Sequence, residues 1–382
     1  MTERVHGGIA VARALKALGV EHLFTLTGGH IFPILDGCHQ EGIRIVDTRH
    51  EQSAAFAAEG WGRLTRTLGV VAITAGPGVT NAMSAFAQAR FNHAPVLALG
   101  GRAPEHRWGQ GSLQEIDHVP FVDPIAPART IKEPASIQSG VFEAAHAALL
   151  PPRGPHFVDF PLDLFFTMVD APSAAPDLLS TASPDQGDVD KVCELLEGAT
   201  RPIVVAGSNV YLDRAEGGLI RLAEAAEAPI FVNGQGRGCV PADHRLAFAR
   251  SRSKAMKEAD LVVVAGTPLD FRLGFGQGFA EGTKIVHVDS HPSGIARHVA
   301  LAASVVGPLD QTLEGIAAGI EKSADSKEWL ETLRRVEEEK RESAQAELHS
   351  TATPIHPMRI YGELVPLLER DAIVVGDGGD FV

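Results

Sequence analysis

One repeating unit constrains this chain more than any other feature: a short apolar run, a glycine turn, then a helix-like stretch. Residues 70–74 read as a buried strand, Gly76-Pro77-Gly78 as a turn and residues 80–90 as a helix. The same order runs through the N-terminal part. Residues 11–18 are helical and end at Gly19, and residues 22–26 form a short strand stopped by Thr27, Gly28 and Gly29. Residues 31–39 are helical, 44–47 extended, 53–64 an alanine-rich helix and 96–99 a strand; residues 156–160, closed by Pro161, read as the last strand. Regular alternation with short glycine turns argues for α/β structure with a parallel sheet covered by helices on both faces.

Residues 171–188 are rich in proline, serine and alanine and read as a linker after a first domain of residues 1–170. A second alternation follows, with helices over 189–196 and 219–226 and strands over 202–206, 229–232, 261–265 and 284–289. It predicts a second parallel-sheet, Rossmann-like domain across residues 189–325. Residues 326–349 place acids and bases three and four apart, which reads as a solvated surface helix or strut within a 326–353 segment. After Pro354 and Pro357 a third alternation begins, with a helix at 358–368 and a strand at 372–375 feeding Gly376-Asp377-Gly378. A buried apolar strand feeding a glycine turn is a poor place to end a fold, so residues 354–382 are expected to open a third, incomplete domain. Two to three domains is also what 382 residues suggest at about 150 residues each.

Charge narrows the function classes. Lysine and arginine total 34 against 48 acids, a net −14, which is no footprint for a phosphate backbone and excludes nucleic acid as the expected partner. No apolar run approaches the roughly 18 residues of a membrane span. The first residues carry charges where a signal peptide would be apolar. Cys38, Cys193 and Cys239 are too scattered for a disulfide framework or zinc cluster. A soluble cytoplasmic protein is expected.

Functional side chains in open α/β sheets collect at the ends of strands. Glu51 follows such an end and begins an apolar helix, where burial raises a carboxyl pKa and the helix N-terminus lowers it. It is either a catalytic acid or a first-turn residue that complements the helix dipole. Gly76-Pro77-Gly78 leads into a helix at Thr80 and Asn81, a turn that lets a ligand approach backbone amides. It has no P-loop lysine, which disfavours nucleotide hydrolysis. Gln114, in the polar loop from Gly109 to His118, either places an amide on a substrate or is solvated. His30, His50, His93 and His118 share no ligand spacing, so no metal site is expected within the chain. A G-x-S-x-G nucleophile elbow is absent too. In the second domain Gly207 with Ser208, and Gly266 with Thr267, follow strands as in a nucleotide-binding domain, and Asp289 ends another strand where an acid would meet a ribose hydroxyl.

Singly these signals are common; their order is not. Thr27-Gly28-Gly29, then His50-Glu51-Gln52 with Ala58-Glu59-Gly60, then Gly76-Pro77-Gly78 with Thr80-Asn81, then Leu113-Gln114-Glu115 resembles the pyrimidine-binding domain of thiamine-diphosphate enzymes. The likeness is strongest to acetolactate synthase large subunits, and it continues through Phe160-Pro161-Leu162-Asp163 and the central domain to the end of the chain. The resemblance implies decarboxylation of a 2-keto acid such as pyruvate, followed by carboligation to an acetohydroxy acid. It implies that Glu51 hydrogen-bonds N1′ of the cofactor's aminopyrimidine and favours its imino tautomer. Gly28, Gly29, Gly76, Pro77, Gly78 and Asn81 would line the pyrimidine or substrate channel, and Gln114 matches a family glutamine. Each family site is shared between two chains, which implies a homodimer or homotetramer.

The chain also departs from that pattern. Pro127 stands where the family has a lysine, and Leu246-Ala247-Phe248-Ala249-Arg250-Ser251-Arg252 replaces the flavin loop. That segment is closer to oxalyl-CoA decarboxylase and 2-hydroxyacyl-CoA lyase, so either FAD or an adenine nucleotide such as ADP is open for the central domain. Lysis or decarboxylation of a CoA thioester is the alternative activity. A non-catalytic nucleotide-binding or regulatory subunit is the alternative of another class. The Gly376-Asp377-Gly378 triplet comes too early for the family's metal motif, which places the Mg2+ ligands beyond Val382.

Overall fold

The computed structural model describes residues 3–170, 174–177, 181–322, 326–369 and 371–376. The chain divides into two compact units: Met1–Ser183 with Ser290–Gly294, and Pro184–Asp289 with Ile295–Val382.

In the first unit the chain order is β1 (Arg4–His6), α1 (Gly7–Ala17), β2 (His22–Thr25), α2 (Phe32–Gln40), β3 (Arg44–Asp47), α3 (Glu51–Thr65), β4 (Gly69–Ile73) and α4 (Pro77–Phe91). It continues with β5 (Val96–Arg102), α5 (Val119–Val122), β6 (Ala128–Thr130), α6 (Ile137–Leu149), β7 (Pro155–Pro161) and β8 (Met168–Asp170). Six strands form one sheet in the order β3-β2-β4-β5-β7-β6, parallel throughout. β1 and β8 pair antiparallel in a separate ribbon.

The apolar strands feed two cores because successive side chains point to opposite faces. Val70, Ala72, Leu97, Leu99, Val158 and Phe160 pack with α1, α2 and α6. Val71, Ile73, Val96, Ala98 and Phe157 pack with α3 and α4 on the other face. From β2 the chain winds outward to β3, then returns past β2 to β4. The winding therefore reverses between β2 and β4, and that reversal leaves a crevice at the ends of those two strands.

The second unit contains α7 (Gln186–Glu197), β9 (Pro202–Ala206), α8 (Ser208–Leu212), α9 (Glu216–Ala226), β10 (Ile230–Val232), α10 (Arg252–Glu258), β11 (Leu261–Ala265) and β12 (Lys284–Asp289). β13 (Ala303–Val306), α11 (Leu309–Gly319), α12 (Lys327–Leu348) and α13 (Pro357–Leu364) follow. Its sheet is again parallel, in the order β10-β9-β11-β12-β13, so its winding reverses between β9 and β11.

Three expectations need correction. The Gly76-Pro77-Gly78 turn is itself the start of α4, with Pro77 at the first helical position, where its fixed φ and missing N–H suit a helix start. The charged helix is not solvated along its length: Trp329, Leu330 and Leu333 are buried. The Trp329 indole N–H donates to the Pro202 carbonyl at 3.2 Å, and Glu337 accepts from the Ala249 and Ser251 amides and the Ser251 hydroxyl. The strand expected at 372–375 is absent; Ile373, Val374 and Val375 are exposed, and no described strand pairs with them. An apolar run becomes a strand only where another strand completes its ladder. The Asp377 and Gly378 of the expected glycine turn lie outside the described residues, as does part of the 171–188 linker. No described helix is long and apolar enough to cross a membrane.

Candidate active site

The crevice between β2 and β4 is lined by the loop that follows each strand. Glu51 enters as the first residue of α3, capped by His50, whose Nδ1 accepts the Gln52 N–H at 3.1 Å. A carboxylate in a first helical turn complements the amides there. Glu51 is nevertheless only 8% exposed, because α4 packs against α3. Asn81 on α4 donates its amide to Glu51 Oε2 at 2.9 Å. Among the described residues no donor is bonded to Oε1.

Close approach explains the glycines. A Cβ on Gly78 would lie 2.8 Å from Thr74 Cγ2 and 3.4 Å from Glu51 Oε1; one on Gly28 would lie 2.4 Å from Thr74 Cβ. Any side chain at these positions would push Thr74 or the carboxylate out of place. Gly29 is exposed and its missing Cβ would meet nothing within 4 Å.

Gly76 has φ +61° and ψ −112°, a conformation open essentially to glycine. The exposed Gln114, itself at φ +56°, packs its backbone over the turn: a Cβ on Gly76 would be 2.9 Å from the Gln114 carbonyl. Pro77 is exposed beside it. The structure therefore brings Gly28, Gly76, Gly78, Asn81, Glu51 and Gln114 to one end of one sheet, although they follow four different strands, β2, β3, β4 and β5.

Several residues to which the sequence reading gave no role in the site stand behind this group. Thr74 meets His30, whose Nδ1 lies 3.2 Å from its hydroxyl. Burial holds the His30 pKa below the usual imidazole value, opposed by a hydrogen bond to the Leu113 carbonyl. His118 accepts the Gly76 N–H at Nε2 (2.9 Å) and donates from Nδ1 to Asp159 Oδ2 (2.8 Å). Arg102 reaches the same carboxylate oxygen at 3.4 Å. The signal was present: Asp159 is the one acid in a strand that is apolar apart from it and His156, and a fully buried carboxylate needs a partner. Among the described residues no group of three or more His, Cys, Asp or Glu side chains could hold a metal ion.

In the second unit, Gly207, Ser208, Gly266 and Thr267 lie at the reversal between β9 and β11. The two loops close on each other: Gly207 N–H donates to Ala265, Asn209 N–H donates to Gly266, and a Cβ on Gly207 would sit 2.2 Å from Thr267 Cβ. Asp289 is 3% exposed, and both its oxygens accept from the Asn209 amide at 3.3 Å. Polar groups gather beside this reversal, on the Asn233–Arg237 loop. Arg252 donates to Asn233 Oδ1 at 2.7 Å, and burial together with the Arg237 charge lowers its pKa. Asn233 Nδ2 and Gln235 Oε1 are buried and have no partner among the described residues.

Two family profiles match the chain. One, described as thiamine pyrophosphate enzyme, N-terminal TPP binding domain, covers residues 5–121. The other, described as thiamine pyrophosphate enzyme, central domain, covers residues 189–316. The chain is 48% identical over 383 aligned residues to a probable acetolactate synthase of Mycobacterium bovis and to an acetolactate synthase large subunit of Mycobacterium tuberculosis; each alignment spans 99% of this chain and 70% of the relative. It is 33% identical to 2-hydroxyacyl-CoA lyase 2 of Caenorhabditis elegans, across 99% of this chain and 66% of that protein.

Proposed function

This chain belongs to the thiamine pyrophosphate enzyme family, and we propose that it acts as an acetolactate synthase within it, decarboxylating pyruvate or a related 2-keto acid and forming an acetohydroxy acid. The observation that carries the reading is the buried Glu51 carboxylate at the winding reversal, with Asn81 on one oxygen and the other open.

These residues fit an aminopyrimidine. A carboxylate of low exposure binds a ring nitrogen more strongly than a solvated one, and the bare Gly28 and Gly78 leave room for a flat ring. Thiamine diphosphate, when bound, supplies the acidic carbon and the electron sink that keto-acid decarboxylation needs. Glu51 would hold a proton at Oε1 against the ring nitrogen, and Asn81 keeps the carboxylate turned toward it. Gly29, Gly76 and Pro77 wall the channel, Thr74 and His30 close it to water from behind, and Gln114 would meet the substrate. Mg2+ would accompany the diphosphate end.

We read the assembly as a homodimer or homotetramer in which a second chain covers this crevice. Phe32, Leu113 and Phe121, apolar and exposed on or beside the crevice loops, support that reading. Arg252, Arg237, Asn233 and Gln235 would serve an adenine nucleotide or flavin in the central domain, with Gly207, Ser208, Gly266 and Thr267 as its wall. Asp289 serves that wall from inside, through Asn209. The cytoplasm is the compartment that goes with three buried thiols.

The test is acetolactate formation by the natural full-length protein from pyruvate, thiamine diphosphate and Mg2+, with flavin absorbance recorded. Product from wild type, lost in Glu51→Gln, is the expected result. The similarity to 2-hydroxyacyl-CoA lyase 2 supports a second reading, carbon–carbon cleavage or decarboxylation within the acyl group of a CoA thioester. Turnover of such a thioester with no acetolactate from pyruvate would select it. Turnover of neither would leave a non-catalytic, nucleotide-binding subunit.

A further inference from the structure

The contact most in need of explanation in the first unit is a buried acid–imidazole pair that ends on a single backbone amide. His118 is 1% exposed and Asp159 0% exposed. The imidazole takes the Gly76 N–H at Nε2 and gives its own Nδ1–H to Asp159, so a neutral ring with its proton on Nδ1 satisfies both contacts. Arg102, stacked 3.7 Å over the Trp108 ring and bonded to Asp117 at 3.0 Å, supplies the counter-charge. Phe157 closes the other side of the imidazole edge-on, 6.1 Å between centroids. Among the described residues, Asp159 Oδ1 and Arg102 Nε have no partner.

Stability alone is a weak reason for this arrangement. Buried ion pairs are often no more stable than apolar residues of the same volume, and orphaned polar atoms make the balance worse. What the pair does achieve is position. It reaches Gly76, the cap of α4, and α4 carries Gly78 and Asn81 to the two oxygens of Glu51. The loop that carries His118 also lays Gln114 over Gly76.

We propose that His118, oriented by Asp159, is a positioning residue: its hold on the Gly76 amide sets the first turn of α4 and through it the orientation of the Glu51 carboxylate. The proposal rests on the thiamine reading given above, and its test separates the two.

The variants are His118→Leu, which removes the acceptor, and His118→Gln, whose amide oxygen can take its place, both in the natural full-length protein. Three quantities are read: deuterium uptake at the Gly76 amide without cofactor, affinity for thiamine diphosphate, and the rate at which bound thiamine diphosphate exchanges its C2 proton for deuterium. In His118→Leu, Gly76 uptake should rise at least about tenfold and C2 exchange at saturating cofactor should fall about tenfold or more. Affinity should change less than about threefold, and His118→Gln should stay within about threefold of wild type on all three readouts. Unchanged C2 exchange in His118→Leu overturns the proposal, as does a His118→Gln variant as slow as the leucine one. Loss of affinity in step with exchange would show a merely structural role and overturns it too. If His118→Leu does not fold, Asp159→Asn takes its place, and wild-type exchange and uptake in that variant overturn the proposal. Wild-type protein that fails to accelerate C2 exchange at all would overturn the thiamine reading, and this role with it.

Discussion

The Asn81 amide donates to Glu51 Oε2 at 2.9 Å, joining the second turn of α4 to the first residue of α3. One oxygen of a buried carboxylate is thereby fixed, and among the described residues no donor is bonded to the other. A hydrogen bond to a charged group contributes about 1.5–3 kcal/mol, so Asn81→Ala should lower kcat roughly tenfold to a hundredfold with the fold intact. Steady-state kinetics beside a thermal melt will check this; kinetics within a factor of two of wild type would detach Asn81 from the site.

Gly78→Ala places a methyl group 2.8 Å from Thr74 Cγ2 and 3.4 Å from Glu51 Oε1. Overpacking of this kind costs about 1–3 kcal/mol, and here the strain falls on the residues that would meet the cofactor. The variant should melt lower and bind thiamine diphosphate more weakly, as read by fluorescence titration. Wild-type affinity would mean that the ring lies elsewhere.

His287 is fully buried, donates from Nε2 to the Thr267 carbonyl at 3.1 Å and accepts the Ala296 N–H at Nδ1. Burial lowers its pKa, and so does the neighbouring His298 imidazole, against the raising effect of the Thr267 bond. The folded state therefore binds this proton less readily than the unfolded chain, as it does at His30. Stability should be full above the ordinary imidazole value and fall as the pH drops through it and below. Urea midpoints at about pH 7.5 and pH 5.5, above the carboxylate range, should show the lower value at the lower pH. Equal midpoints would contradict the assignment.

Trp329 is 4% exposed and anchors α12 to the second unit through packing and the Pro202 carbonyl. Trp329→Ala should cost about 3–5 kcal/mol, seen as a lower melting temperature of that unit. Arg341→Ala, on the exposed part of the same helix, should change it by less than about 0.5 kcal/mol. Similar melts for both variants would return α12 to the role of a solvated strut.

Short-range physics made much of this protein readable from its residues. Apolar runs at 70–74, 202–206 and 261–265 can do little but form strands buried on both faces, and the glycine turns after them mark the strand ends. Glu51, Gly28 and Gly76 were legible because each stands at such an end, and their order along the chain pointed to a family. The short β6, whose Ala-Arg-Thr sequence carries no strand signature, was not legible: it exists because β7 offers it a ladder. Residues 372–375 fail in the opposite sense, with a strand-like sequence and no neighbouring strand among the described residues.

Local sequence sets most of the elements, their alternation and the chemistry of the side chains at their ends. Tertiary structure alone decided the strand order, and with it the reversal between β2 and β4 that gathers Gly28, Glu51 and Gly78 around Thr74. It also decided that Asp159, His118 and Gly76 meet, across sequence gaps no local pattern spans. The reason is physical: a helix turn or a strand's pleat is set by neighbours a few residues away, whereas sheet order and buried polar pairs are set by which distant surfaces exclude water together.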